Sequence, residues 1–353
     1  MKKTFMSICV SIAVALGGCT KNSLSDKSER LLTSEDSKKN QATVSAAYAK
    51  GADVSWLDQM EASGYKFYNN SGTQQDLFTI LKGKGMNSIR LRVWVKPWGG
   101  WCDKADMLWM AKRAKAAGMR IMLDIHYSDT WADPGQQYKP SAWSGHSFNT
   151  LMNDVYNYTL DLMNTLKSNG IYPEWVQIGN ETNNGMLWDD GKASVNMKNF
   201  AWLVNCGYNA VKAVNSSSKV IVHLSNAHDN ALYRWLFDGL KANGAKWDVI
   251  GMSVYPTTSN WASNNNSVLY NMKDMVSRYG SEIMICEAGM EVTAASTCKS
   301  FLSDLIAKNK SLANGKGLGV FYWEPQCYNN WQGYGKGAFG SNGRPTVALD
   351  AFY

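Results

Sequence analysis

The sequence predicts an α/β chain folded as a single-domain (β/α)8 barrel, a TIM barrel, and three observations carry that reading. From Gly51 onward, eight short apolar runs alternate with longer amphipathic stretches, the pattern of parallel strands joined by helices. Glycines stand just past the amphipathic stretches, at Gly85, Gly118, Gly170, Gly244 and Gly280, where a helix end takes up a left-handed turn. The apolar runs end on polar, charged or aromatic residues, and that end of a barrel strand is where its chemistry collects.

Taken in order, the strands read Gly51–Ser55, Ser88–Trp94, Arg120–His126, Trp175–Asn180, Val220–Ser225, Val249–Tyr255, Ile283–Glu287 and Gly319–Trp323. The helical patterns between them cover Gln74–Lys84, Lys104–Ala117, Thr150–Ser168, Lys198–Asn215, Asn230–Ala242, Val268–Tyr279 and Ala295–Asn309. Lys112, Lys115 and Lys167 fall toward helix C-termini, where the helix dipole favours a cation. An open doubly wound sheet is the rival arrangement, but no Gly-rich phosphate-binding turn follows the first strand. There is neither an internal repeat nor a second domain.

The 353 residues are 45% hydrophobic and 18% charged, a balance that suits a folded globular chain. The net charge of +7 is spread over scattered Lys and Arg residues, without the basic stripe that nucleic-acid binding needs. Fifteen Trp and seventeen Tyr are many, and several fall in loops after strands. Flat aromatics there suit the apolar C–H faces of sugar rings, although some must simply fill the core.

The N-terminus begins with Met1-Lys2-Lys3 and an apolar run from Phe5 to Leu16 that is too short to span a bilayer. Leu16-Gly17-Gly18-Cys19 resembles a bacterial lipobox, so residues 1–18 read as a lipoprotein signal peptide and Cys19 as the lipidated first mature residue. A plain secretory leader with a chance cysteine is the alternative. Residues 19–45 are polar, rich in Ser, Lys and Asn, and read as a flexible tether; residues 46–353 form the barrel. The expectation is a monomer that meets the membrane only through a lipid on Cys19 and works outside the cytoplasm. Cys102, Cys206, Cys286, Cys298 and Cys327 follow, an odd number that leaves at least one thiol unpaired within the chain.

The strand ends supply the candidate site. Glu174-Trp175-Val176-Gln177-Ile178-Gly179-Asn180-Glu181 is an apolar run that stops on Asn180 and Glu181, and Ile283-Met284-Ile285-Cys286-Glu287 again ends on a carboxylate. A buried carboxylate is costly unless it is paired, and a barrel can bring two strand-end glutamates face to face. Around this pair converge Arg90, Arg92 and Trp94 from the second strand, Asp124, His126, Asp129 and Trp131 from the third, Tyr255 from the sixth and Trp323 from the eighth. One inward arginine should pair with a carboxylate across the barrel. A metal site made from Asp124, His126, Asp129, Asp133 and His146 is the other reading of the third strand, but it has no metal-ligand spacing to support it.

Several of these strings are specific to one family. Lys50-Gly51-Ala52-Asp53-Val54-Ser55-Trp56, Asn87-Ser88-Ile89-Arg90-Leu91-Arg92-Val93-Trp94-Val95 and His126-Tyr127-Ser128-Asp129-Thr130-Trp131-Ala132-Asp133-Pro134 resemble the glycoside hydrolase family 53 endo-β-1,4-galactanases. Gln177-Ile178-Gly179-Asn180-Glu181, Gly251-Met252-Ser253-Val254-Tyr255-Pro256 and Gly319-Val320-Phe321-Tyr322-Trp323-Glu324-Pro325 resemble the same family. The resemblance implies a (β/α)8 barrel with Glu181 as acid/base and Glu287 as nucleophile. It further implies that Arg90 steadies the nucleophile, Asn180 holds the sugar 2-hydroxyl and Trp323 floors the cleaved subsite. Two departures stand out: Ala288-Gly289-Met290 after Glu287, where relatives carry Thr or Ser and then aromatics, and Ser225 where they often carry Asp. Some bacterial relatives bind calcium after the seventh strand; Glu291 to Lys299 lacks a ligand run, so neither a metal nor a cofactor is expected.

The chemistry implied is retaining hydrolysis of a β-1,4-galactan, the polysaccharide partner, within a chain rather than from its end. It needs the two carboxyl groups about 5–5.5 Å apart, Glu287 ionised beside an arginine and Glu181 protonated by burial and like charge. Trp94, Trp98, Trp101, Trp131, Trp143, Trp188 and Trp323, all at or beyond strand ends, are candidate sugar platforms. Two rivals stay open: a related hydrolase acting on mannan, xylan or glucan, and a non-catalytic glycan-binding lipoprotein.

Overall fold

A computed structural model describes residues 47–353. The leader, Cys19 and tether expected from the sequence lie outside the described residues. Eight parallel strands close into a barrel in chain order: β1 (Ala49–Asp53), β2 (Ser88–Val93), β3 (Arg120–Ile125), β4 (Trp175–Ile178), β5 (Lys219–Leu224), β6 (Val249–Val254), β7 (Glu282–Ala288) and β8 (Gly317–Trp323). Closure is made by β1, whose Asp53 lies opposite both Arg90 of β2 and Trp323 of β8. Helices α1 (Leu57–Ala62) and α2 (Leu77–Gly83) fill the first interval, and α3 (Lys104–Ala116), α4 (Phe148–Ser168), α5 (Ala193–Val214), α6 (Asn230–Ala242), α7 (Trp261–Tyr279) and α8 (Ala295–Lys310) fill the rest.

Side chains at the helix starts explain where several of them begin. Asp76, Asp103, Ser147 and Asp229 each accept from backbone N–H groups of the first turn of α2, α3, α4 and α6, satisfying donors that would otherwise lack partners. At the other end of α7, Gly280 takes φ 67°, as its position in the sequence suggests. The helical patterns miss α1 and begin α5 and α7 several residues late. After β8 the chain ends in a 3-10 turn, Val347–Phe352, which packs at the base: Lys50 donates to the Phe352 carbonyl and Lys84 pairs with Asp350.

The barrel interior has two storeys. The lower one is apolar, formed by Ala49, Met122, Trp175, Ile221, Val249, Met284, Cys286 and Phe321. Gly51 makes room for it: a Cβ there would sit 2.2 Å from the Phe321 ring. Above this plug the inward positions turn polar, with Asp53, Arg90, Arg92, Asp124, Gln177, His223, Ser253 and Glu287 all buried.

One irregularity decides whether Glu287 belongs to that upper storey. Strict alternation along β7 would send Met284 and Cys286 inward and Glu287 outward. Instead the pairing with β6 slips by one residue, from Met252 opposite Ile285 to Ser253 opposite Glu287. Cys286 is the extra residue of this bulge, so it and Glu287 both face the interior, as such insertions allow.

The tight seat of Phe321 gives a stability prediction. Gly51→Ala overpacks the lower storey and should cost about 1–3 kcal/mol in urea unfolding. Adding Phe321→Leu should recover part of that loss, whereas two strictly additive losses would show that the two positions do not meet.

Candidate active site

Arg90 is the hub of the upper storey. Its Nε donates to Gln177 Oε1 at 2.7 Å, Nη1 to Asp53 Oδ2 at 2.6 Å and Nη2 to Asn180 Oδ1 at 2.8 Å. Nη2 also lies 2.9 Å from Asp124 Oδ2 and 3.0 Å from Glu287 Oε1. Burial disfavours its cation, but the carboxylates of Asp124, Glu287 and Asp53 more than offset this, so Arg90 stays charged. Burial would likewise raise Asp124; Arg90 and then His126 hold it below the ordinary carboxylate range.

The two glutamates lie in unlike surroundings. Burial raises Glu181 first and the charge of Glu287 second, bringing its pKa to about 8. Burial also raises Glu287, but there the Arg90 guanidinium pulls the other way and the Tyr255 hydroxyl donates to Oε2 at 2.9 Å. Glu181 forms no salt bridge among the described residues. The shared proton therefore belongs on Glu181, and Glu287 carries the charge.

A run of neutral hydrogen bonds orients Glu181 and its neighbour. His223 is fully buried, and burial holds it neutral. If Nδ1 accepts from Gln177 Nε2 at 3.0 Å, the Nε2–H donates to Ser253 Oγ at 2.8 Å. That leaves the Ser253 hydroxyl hydrogen to reach Glu181, a bond that works against the raised pKa. Asn180 is fixed at its oxygen by Arg90 and at its nitrogen by the Ala132 carbonyl, 2.8 Å away. The strand ends reach these places through left-handed turns at non-glycine residues: Tyr127 (φ 51°), Glu181 (43°), Asn226 (53°) and Glu324 (48°). Such conformations cost about 1–3 kcal/mol each and gather at functional sites.

These residues sit at the floor of a cleft of about 920 Å³ at the C-terminal face of the barrel. The family profile described as "Glycosyl hydrolase family 53" matches residues 49–352. The chain belongs to that family. A protein of Aspergillus niger named arabinogalactan endo-beta-1,4-galactanase A is 37% identical over 302 residues, covering 80% of this chain and 86% of the relative. A protein of Neosartorya fischeri, named probable arabinogalactan endo-beta-1,4-galactanase A, is 37% identical over 314 residues, covering 82% and 86%. Among solved structures, one from a study of two fungal beta-1,4-galactanases superposes with a TM-score of 0.80 at 30% identity, over 86% of this chain and 98% of that one. The GH53 catalytic domain of Ignisphaera aggregans superposes with a TM-score of 0.78 at 32% identity, over 86% and 95%. The family 53 chain is thus a glycosidase on a (β/α)8 barrel.

Of the ten residues expected to form the site of this glycosidase, eight line the cleft or its floor directly: Glu181, Glu287, Trp94, His126, Trp131, Asn180, Tyr255 and Trp323. Arg90 lies beneath them. Asp129 lies elsewhere: its carboxylate accepts from Lys96 N and from the amide and hydroxyl of Ser141, so it staples two loops and has no place in the cleft. His126 reaches the cleft with both nitrogens engaged. Nε2 lies 2.9 Å from Asp124, while Nδ1 accepts from Trp94 Nε1 at 3.1 Å and Ala132 N at 3.2 Å. It offers a sugar a ring edge and orients Trp94.

Five of the seven proposed platforms reach the cleft, namely Trp94, Trp98, Trp101, Trp131 and Trp323, and Trp56 joins them. Trp143 is buried. Trp188 is turned away, its indole N–H on the Asn184 carbonyl and Lys192 over its ring. The sequence reading missed Asp133, Tyr334 and Lys336 as lining residues. Asp133 lay inside a string already singled out, but Tyr334 and Lys336 follow β8 in a loop without periodicity. The five residues of the alternative metal reading scatter, with His146 on Asp154 and Asp129 on its loops. All five cysteines among the described residues are free thiols.

The raised pKa of Glu181 gives a pH prediction. A carboxyl held at about 8 when folded and near its ordinary value of ~4.3 when unfolded stabilises fully only below the lower value, and that contribution is lost as pH rises through the upper one. Relative to wild type, Glu181→Gln should therefore gain melting temperature steadily from pH 5 to pH 8. A difference in Tm that stays flat across that range would contradict the assignment.

Proposed function

We propose that this glycosidase is an endo-acting, retaining enzyme that cleaves β-1,4-galactosidic linkages in galactan and type I arabinogalactan. The observation that carries the reading is the pair of unlike glutamates, Glu181 proton-bearing and Glu287 ion-paired to Arg90, beneath a tryptophan-lined cleft. The names of the two fungal relatives point to galactan as the polymer. The cleft volume lies toward the upper end of the roughly 300–1,000 Å³ of small-ligand sites, room that suits an internal stretch of chain.

In this mechanism Glu287 attacks the anomeric carbon while Glu181 gives its proton to the departing glycosidic oxygen. Forming the galactosyl ester removes the charge of Glu287, and with it the repulsion that kept Glu181 protonated. Glu181, now a carboxylate, takes a proton from the incoming water, which releases the sugar with its configuration retained. Arg90 and Tyr255 hold the nucleophile in place, and the oriented amide of Asn180 is placed to bind the sugar 2-hydroxyl. No cofactor takes part. The Leu16-Gly17-Gly18-Cys19 sequence supports a lipid on Cys19 and a chain held outside the cytoplasm, which palmitate labelling of Cys19→Ala against wild type tests.

Incubation with linear β-1,4-galactan, beside mannan, xylan and glucan, should give oligosaccharides from galactan alone, sized by chromatography. Monosaccharide as the main early product would count against an endo mode. Glu181→Gln and Glu287→Gln should each lower kcat by orders of magnitude with the fold intact. Azide should restore turnover to Glu287→Ala and yield a galactosyl azide of inverted configuration. Near-normal activity in either Gln variant would remove that residue from its role.

A further inference from the structure

Arg90 and Arg92 both point inward from β2, two positions apart, yet their surroundings have little in common. Arg90 is met by three carboxylates. Arg92 meets one, Glu324, with Nη1 at 3.3 Å from Oε1, and its Nη2 donates to Cys102 Sγ at 3.3 Å. Its Nε has no hydrogen-bond partner among the described residues. Aromatic rings take the place of partners: the guanidinium carbon lies 4.3 Å from the ring centroid of Trp131, 4.9 Å from Trp94 and 5.5 Å from Trp56. All three are within the ~6 Å at which a cation is drawn to a ring face, and the attraction is strongest where water is excluded. Arg92 is 2% exposed, whereas the three rings line the cleft, so the cation lies behind the wall that substrate meets.

The rings also share neighbours, since Trp323 lies 5.2 Å from Trp56 and 6.0 Å from Trp131 and His126 lies 6.1 Å from Trp94 and 6.2 Å from Trp131, but Arg92 faces all three. They meet one another edge to face, Trp94 and Trp131 at 5.1 Å and Trp56 and Trp131 at 5.5 Å. Arg92 also reaches two backbones of the wall. Glu324 accepts from the Trp56 amide at 3.2 Å, and Trp94 N donates to the carbonyl of Cys102, the residue whose thiol Arg92 holds. Between Trp94 and Cys102 runs the loop that carries Trp98, which is 97% exposed at the cleft mouth, and Trp101.

We infer that Arg92 is a positioning residue for substrate: its buried guanidinium sets Trp56, Trp94 and Trp131 as one wall, and through Cys102 it anchors the loop bearing Trp98 and Trp101. The inference rests on the glycosidase reading for what the wall binds, and on geometry alone for what holds the wall. Arg92 acts on ring placement, while Arg90 acts on the charge of the nucleophile. A planar guanidinium stacks on ring faces while its fork of N–H groups holds Glu324 and Cys102, whereas a lysine ammonium is a compact, strongly hydrated point charge. Glu324 makes the cation removable, because burial and then Asp53 already hold its carboxyl at about 8, so replacing Arg92 leaves no obligatory buried anion.

The test uses Arg92→Met and Arg92→Lys in the full chain, assayed well below each variant's Tm. Arg92→Met should raise KM for galactan oligosaccharides tenfold or more with kcat within about threefold of wild type, the pattern of lost binding common to ground and transition states. Its near-UV circular dichroism, a signature of fixed tryptophans, should fall without loss of far-UV signal, and Arg92→Lys should lie between. A folded Met variant with wild-type KM would overturn the inference, as would a fall in kcat at unchanged KM, which would place Arg92 in the electrostatics of the carboxylates. If the Met variant does not fold, the Lys variant decides alone, and an unchanged KM there overturns the inference. Should wild type cleave no galactan, the functional reading fails separately; an unaltered near-UV spectrum in Arg92→Met would then still refute the positioning role.

Discussion

A guanidinium removed from water must be surrounded by anions and acceptors, because it cannot shed its charge as a lysine or histidine can. Arg90, 1% exposed, brings Asp53 of β1, Asp124 of β3, Gln177 of β4, Asn180 beyond β4 and Glu287 of β7 to one point. Five strand ends are tied by one side chain. The same cation that closes the upper storey of the barrel also favours the ionised state of Glu287, so stability of the fold and the charge of the site are not separable here. Taking any one carboxylate away would leave the rest repartitioning charge around a cation that stays.

Much of this was legible because barrel strands announce themselves twice, by an apolar run and by polar residues at its end. All eight strands run within two residues of the limits expected at both ends, and α6 matches at both ends. Arg90 and Arg92 were readable as inward-facing from their spacing alone, and Glu181 from its place after an apolar run. The bulge at Cys286 was not, because a one-residue slip in pairing depends on the partner strand β6 and leaves no mark in β7 itself. Asp129 failed for a related reason. Loop side chains follow no period, and only the fold reveals that this carboxylate faces the Ser141 and Lys96 amides. Helix α1 was missed because six residues are too few to display a helical period.

Tryptophan content was a sound guide to a carbohydrate cleft but a poor guide to individual residues. Trp94, Trp98, Trp101 and Trp131 reach it, whereas Trp188, read in the same way, is spent on holding its own loop. The difference lies in what each indole N–H can find. That of Trp188 meets a carbonyl four residues back in its loop, while that of Trp94 meets His126 at the rim of the polar storey, which keeps its ring at the opening.

The lining of the cleft is not of one kind. Loops after β1, β2 and β3 bring Trp56, Trp94 and Trp131, and Trp323 at the end of β8 joins them; Asp133, Ser225 and Asn226 also line the cleft. On the proposed chemistry Glu181 serves the departing half of the chain. The half bonded to Glu287 stays behind as an ester. Residence times should differ accordingly. The severed end leaves first and opens a path for water to the ester, while the retained end waits in place until that ester is broken.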